Sequence, residues 1–91
     1  MKRDKKREKL YKECLDKWGS RAQMLMAVEE MGELSQAIAR YLNGRRHNVE
    51  EELGDALLML EQLKYLFGYE EIHKRQDKKI KRIRERMKKE K

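Results

Sequence analysis

No proline interrupts the 91 residues of this chain, so the residue that most reliably stops a helix is missing. What punctuation there is comes from glycine, at Gly19, at Asn43-Gly44 and at Gly68. Between those stops, apolar residues recur at spacings of three and four. Leu10, Tyr11, Cys14, Leu15 and Trp18 predict a first helix over about Asp4–Trp18. Met24, Ala27, Met31, Leu34, Ile38 and Tyr41 predict a second over Arg21–Leu42, with Ser20 as its N-cap. Leu53, Ala56, Leu57, Leu60, Leu63 and Phe67 predict a third over Val49–Phe67, capped by Asn48. A fourth, Tyr69–Lys89, keeps a thin stripe of Ile72, Ile80, Ile83 and Met87 among basic residues. No Val/Ile/Thr-rich run alternates with period two, so strands have no candidates. The expected fold is all-α, a four-helix bundle type.

One domain is all that such a length supports, and it stands near the lower limit for an independent core. The hydrophobic share of 38% falls mainly between Leu10 and Phe67. Leu58, Met59 and Leu66 give the third helix a second apolar face, more than one partner helix needs. That surplus predicts a homo-oligomer, a dimer or a tetramer.

The net charge of +7 conceals a partition. Residues 1–12 carry seven bases and two acids, residues 74–91 eleven and three, and residues 13–73 six and twelve. The chain therefore reads as one domain over 1–91, with a basic N-terminal segment (1–9) and a basic C-terminal helix (70–91) flanking an acidic core. Basic ends meet nucleic acid or any polyphosphate first as negative charge. The single cysteine, Cys14, has no internal disulfide partner. No apolar stretch approaches a membrane span and no cleavage-like site follows the basic start, so a cytoplasmic location is expected.

The functional signal is a phrase written twice, EEMGEL at Glu29–Leu34 and EELGDA at Glu51–Ala56. In each, two carboxylates stand three residues apart: Glu30 with Glu33, and Glu52 with Asp55. Residues at that spacing share a helix face, and like charges there repel. Four carboxylates converging from two helices with no lysine among them is an arrangement that folding alone disfavours. A divalent cation reverses that balance. Oxygen-only ligands point to a hard ion, Mg²⁺ or Mn²⁺. Gly32 and Gly54 sit inside the two phrases although glycine weakens a helix interior; the gap each leaves is expected to admit a backbone, a ligand or an ion shell. One difficulty is register. Glu33 lies ten residues before Asn43 and Glu52 only four after Asn48, so in a simple hairpin the pairs miss being level by roughly 10 Å. An early end to the second helix, a steep crossing or a second chain are the available remedies.

The two phrases, with 18 residues between Glu33 and Glu52, resemble the E-E-x-x-E…E-x-x-D signature of the MazG-like all-α nucleoside triphosphate pyrophosphohydrolases. YKECLDKWG before them and LLMLEQLKYLFG after them extend the likeness, which resembles the small single-domain bacterial and phage type. The resemblance implies a Mg²⁺-dependent hydrolase converting an NTP or dNTP to the monophosphate and pyrophosphate. It implies Glu30, Glu33, Glu52 and Asp55 as metal ligands, and Glu29 or Glu33 as the group that takes a proton. The family's Lys-x₃-Asn-x₂-Arg element is matched by Lys79 and Arg86 with Ile83 in place of the asparagine; Lys79, Arg82 and Arg86 are the expected phosphate-binding residues. Two other readings stand beside it. One is a nucleic-acid-binding helical protein using the basic ends; the other is a catalytically silent nucleotide-binding or regulatory relative.

Overall fold

The computed structural model describes residues 3–90; the outermost residues of both basic segments, 1–2 and 91, lie outside them. Four helices follow in series: α1 (Lys5–Trp18), α2 (Ser20–Leu42), α3 (Val49–Phe67) and α4 (Tyr69–Lys89). No strand occurs among the described residues. Asp4 caps α1, its carboxylate accepting from the Arg7 N–H at 3.1 Å. Gly19 and Gly68 turn the chain with φ of 88° and 105°, a left-handed region that only glycine enters without strain.

Ser20 is not the cap that the sequence predicts. It is already the first residue of α2, and Gly19 occupies the cap position with no side chain to offer. Asn48 does stand at the cap of α3, but its amide caps nothing; it donates instead to Glu52 Oε1 at 3.0 Å.

α2 and α3 form the antiparallel hairpin on which the fold rests, α1 packs on both, and α4 packs on α3 alone. The hairpin closes on small residues: Ala27, Ala37 and Ala56 are buried between its helices, and Tyr11 is buried under α1. Alanines at a helix contact let backbones come close but remove little apolar surface. Among the described residues no large side chain is fully buried. α1 is held to α3 by polar contacts: the Tyr11 hydroxyl donates to Glu61 Oε2, and Arg7 Nη1 donates to both Glu61 oxygens at 3.0 and 3.1 Å. Burial and the neighbouring Glu61 carboxylate push the Tyr11 phenol well above its ordinary value, so it remains a donor.

From Lys74 onward every described residue of α4 is exposed. The helix touches the body over its first turns and then departs. There are four helices, as expected, but one chain leaves the fourth side of the bundle open.

Candidate metal centre

Glu30 and Glu33 lie on α2, Glu52 and Asp55 on the first turns of α3. The register gap is closed by the connection. Residues 43–48 do not simply reverse the chain; they run back along the end of α2. The Arg45 N–H donates to the Arg40 carbonyl at 2.9 Å, and the His47 ring stands edge-on to the Tyr41 ring at 5.0 Å. The loop is thus packed against the last turn of α2. The Glu52 carboxylate meets those of Glu30 and Glu33 within one chain.

One carboxylate oxygen from each of Glu30, Glu33 and Glu52 lies within 4.8 Å of the other two. Glu30 and Glu52 are half-buried and Glu33 is exposed. Asp55 stands outside this closest triad, exposed, near enough for its charge to act on both Glu30 and Glu52. Glu29 is exposed on the flank of α2 and acts on Glu30 in the same way.

The electrostatics are those of like charges held together. Burial, then Asp55, Glu52 and Glu29, raise the Glu30 carboxyl above the usual carboxylate range. Burial first, then the charge of the neighbouring Glu33 carboxylate, raise Glu52, and only Asn48 opposes the rise. Among the described residues no lysine or arginine is one of the groups acting on either carboxyl. Glu30 Oε2 and Glu52 Oε2 are buried with no hydrogen-bond partner among the described residues, a condition native proteins avoid unless something else satisfies the atom. An oxygen-only donor set with two orphaned, inward-facing carboxylate oxygens fits a hard divalent cation.

Asn48 is the site residue that the sequence reading missed. Its amide fixes one oxygen of Glu52 and leaves the other facing the cluster. The signal was present as an Asn and a Glu four residues apart, but the cap position claimed the asparagine first.

The other expected residues fall elsewhere. Lys79, Arg82 and Arg86 lie on the exposed part of α4, where Arg86 pairs with Glu90 at 3.4 Å; within one chain they are not gathered at the carboxylates. Arg45 and Arg46 are exposed in the connection. His47 accepts from the Val49 N–H at 3.4 Å, as a helix-start residue does. Gly32 and Gly54 do not serve a close approach within the chain: a Cβ at either would meet nothing within 4 Å. Each follows a cluster residue by two positions, and two residues turn a helix by roughly 200°, so both face away from the hairpin contact.

A family model described as the MazG nucleotide pyrophosphohydrolase domain matches residues 19–89. Comparison with curated proteins gives no match, and comparison with solved structures gives none. No helix among the described residues is long and apolar enough to cross a membrane.

Proposed function

The chain belongs to the MazG nucleotide pyrophosphohydrolase family, and from that premise we propose that it hydrolyses a nucleoside or deoxynucleoside triphosphate to the monophosphate and pyrophosphate, using Mg²⁺ held by Glu30, Glu33, Glu52 and Asp55. The observation that carries this reading is the convergence of Glu30, Glu33 and Glu52 within 4.8 Å, with two buried oxygens unpartnered and no cation among the groups acting on Glu30 or Glu52. Mg²⁺, and Mn²⁺ in its place, supplies charge neutralisation for the phosphates and makes a water more acidic when bound. Glu30 and Glu52 point buried oxygens inward and form the rigid part of the cage. Asn48 holds the Glu52 carboxylate in one orientation. Glu33 and Asp55, both exposed, face the side from which substrate enters. Glu33 or Glu29 takes the proton of the attacking water.

The apolar residues left exposed on α2 and α3 are covered by further copies of the chain, as a dimer or tetramer. Lys79, Arg82 and Arg86 meet the substrate phosphates in that assembly, since α4 carries them off the body of their own chain.

A panel of NTPs and dNTPs incubated with Mg²⁺ and assayed for pyrophosphate tests the reading. Asp55→Asn and Glu33→Gln are each expected to lower turnover by at least about 100-fold, with helix content retained. Metal-loaded, assembled protein that leaves the whole panel intact would sink it. Metal and nucleotide binding without turnover would favour the silent relative, and steeply salt-dependent nucleic-acid binding that survives chelation would favour the basic ends as the site.

A further inference from the structure

Gly68 is the whole connection between α3 and α4. Its φ of 105° suits only a glycine, and a Cβ there would meet nothing within 4 Å, so no packing braces the joint. The hydrogen bond that crosses it, from the Ile72 N–H to the Gly68 carbonyl, is long at 3.4 Å. α4 packs on α3 alone, and every described residue from Lys74 onward is exposed. A helix held in this way is free to swing about its joint. Arg82 stands 14 residues beyond Gly68, roughly 21 Å along the axis, so a turn of about 20° moves it by roughly 7 Å. That is more than the length of a hydrogen bond to a phosphate. If Lys79, Arg82 and Arg86 are to meet phosphates, something must fix the direction of α4.

A brace comes from the other end of the chain. Tyr69, the first residue of α4, has the Arg3 guanidinium 4.5 Å and the Lys64 ammonium 5.6 Å from the centre of its ring. Cations at that range are attracted by the negative charge on an aromatic face. Arg3 is itself fixed. Its Nε and Nη2 donate to the two oxygens of Glu8 at 2.8 and 2.7 Å, a forked pair that sets the plane of the guanidinium. The Glu8 side chain is only 14% exposed, so this is no loose surface contact. Glu8 belongs to α1 and Lys64 to α3. A cavity of about 100 Å³ lined by Arg3 and Tyr69 is also lined by Arg7, Tyr11 and Glu61, whose contacts fasten α1 to α3. Among the described residues α1 and α4 do not pack on each other; Arg3 spans the interval between them.

We propose that Arg3, fixed by Glu8, clamps Tyr69 and so sets the direction in which α4 leaves the body. Arg3 and Tyr69 are then positioning residues for the basic side chains farther along that helix. This rests on the reading of Lys79, Arg82 and Arg86 as the residues that meet the substrate phosphates.

Two spin labels read the direction. In a Cys14→Ser background, labels at Glu13→Cys on α1 and Arg84→Cys on α4 give a distance by pulsed electron resonance, and dilution with unlabelled protein restricts the reading to one chain. The chain with Arg3 and Tyr69 intact should give one narrow distribution. Arg3→Ala and Tyr69→Leu should each broaden it and raise KM for the triphosphate about fivefold, with kcat unchanged because the carboxylates are untouched. Tyr69→Leu leaves the Arg3–Glu8 pair whole and Arg3→Ala leaves the ring, so an effect common to both belongs to their contact. Tyr69→Phe keeps the ring and should match the wild type in both readouts. A distribution unchanged in Arg3→Ala and Tyr69→Leu overturns the clamp and leaves the hydrolytic reading intact. A Tyr69→Phe chain that behaves like Tyr69→Leu also overturns it, since the hydroxyl and not the ring would then be the brace. Broadening with KM unmoved keeps the clamp and overturns the assignment of Lys79, Arg82 and Arg86 to the phosphates. Broadening in a protein that hydrolyses no nucleotide keeps the clamp and overturns hydrolysis.

Discussion

Glu52 is a single side chain whose charge works against the fold that buries it. One of its oxygens is held by Asn48 at 3.0 Å; the other is buried and unpartnered. Its carboxyl is raised by burial first and by Glu33 second, and Glu30 is raised by burial, Asp55 and Glu52. A carboxyl whose folded value exceeds its unfolded value binds protons more tightly when folded. Its share of stability is then complete below the ordinary value of 4.5 and is lost as pH rises through the elevated one. The metal-free protein is therefore expected to lose thermal stability from about pH 4.5 upward at this cluster. Millimolar Mg²⁺ should restore several degrees at neutral pH, because an ion that binds only the folded state stabilises it. Glu52→Gln should raise the metal-free melting temperature at neutral pH by a few degrees, flatten its pH dependence and remove most of the Mg²⁺ shift. Circular dichroism melts in chelator and in Mg²⁺ decide this. A Glu52→Gln chain that melts lower without metal would mean that the carboxylate is structural.

At the scale of helices, α2 and α3 show what the linear pattern carries and what it leaves out. Apolar spacing and the glycine stops place every helix boundary within one residue, since the 3.6-residue period and positive-φ glycine are local physics. The pairing of Glu30 with Glu33 and of Glu52 with Asp55 on helix faces was local in the same way. The path of residues 43–48 was not. A connection without a period gives no direction, so its packing against Tyr41 and the meeting of Glu52 with Glu30 are tertiary facts that the linear pattern does not carry. The departure of α4 was hidden for a related reason: a stripe such as Ile80, Ile83 and Met87 says that a face needs cover, not what covers it. The glycines mislead because adjacency in sequence is not adjacency on a helix. Gly32 and Gly54 lie between cluster residues yet face open space, and no contact within the chain explains them. Their φ is ordinary and the space is free, so Gly32→Ala and Gly54→Ala should each stabilise by about 1 kcal/mol, or roughly 4–8 °C in a domain of this size. Pyrophosphate release should be unchanged. A fall in melting temperature at either position would reveal a neighbouring copy packed against the missing side chain.

The whole molecule has too much surface for a finished protein. A folded monomer of 11.1 kDa is expected to expose roughly 5,700 Å², whereas this chain exposes 8090 Å². Its radius of gyration is 16.2 Å, against about 12 Å for a compact domain of that length. Part of the excess is the departing α4. The rest is apolar residues on the hairpin that nothing covers: Leu53 at 43%, Leu57 at 49% and Leu60 at 37% exposed on α3, with Met31 and Ile38 on α2. The three leucines form one stripe, about a third of a turn around α3 from Glu52 and Asp55, so a second copy seated there leaves the carboxylates open. A surplus of about 2,400 Å² per chain is what an obligate association removes. Wild-type protein is therefore expected to sediment at two or more times 11.1 kDa, with a melting temperature that climbs with concentration, because folding and assembly are then linked. Leu57→Glu separates this from a merely greasy monomer. In an isolated chain that side chain is half in water, and replacing it should move stability by no more than about 0.5 kcal/mol. In an assembled protein it places a charge at the buried centre of the contact. The variant should then sediment near 11.1 kDa, melt several degrees lower and lose its concentration dependence. Wild-type protein that sediments as a monomer at all concentrations, and a Leu57→Glu variant with the same melting curve, would show that the exposed stripe is not an interface.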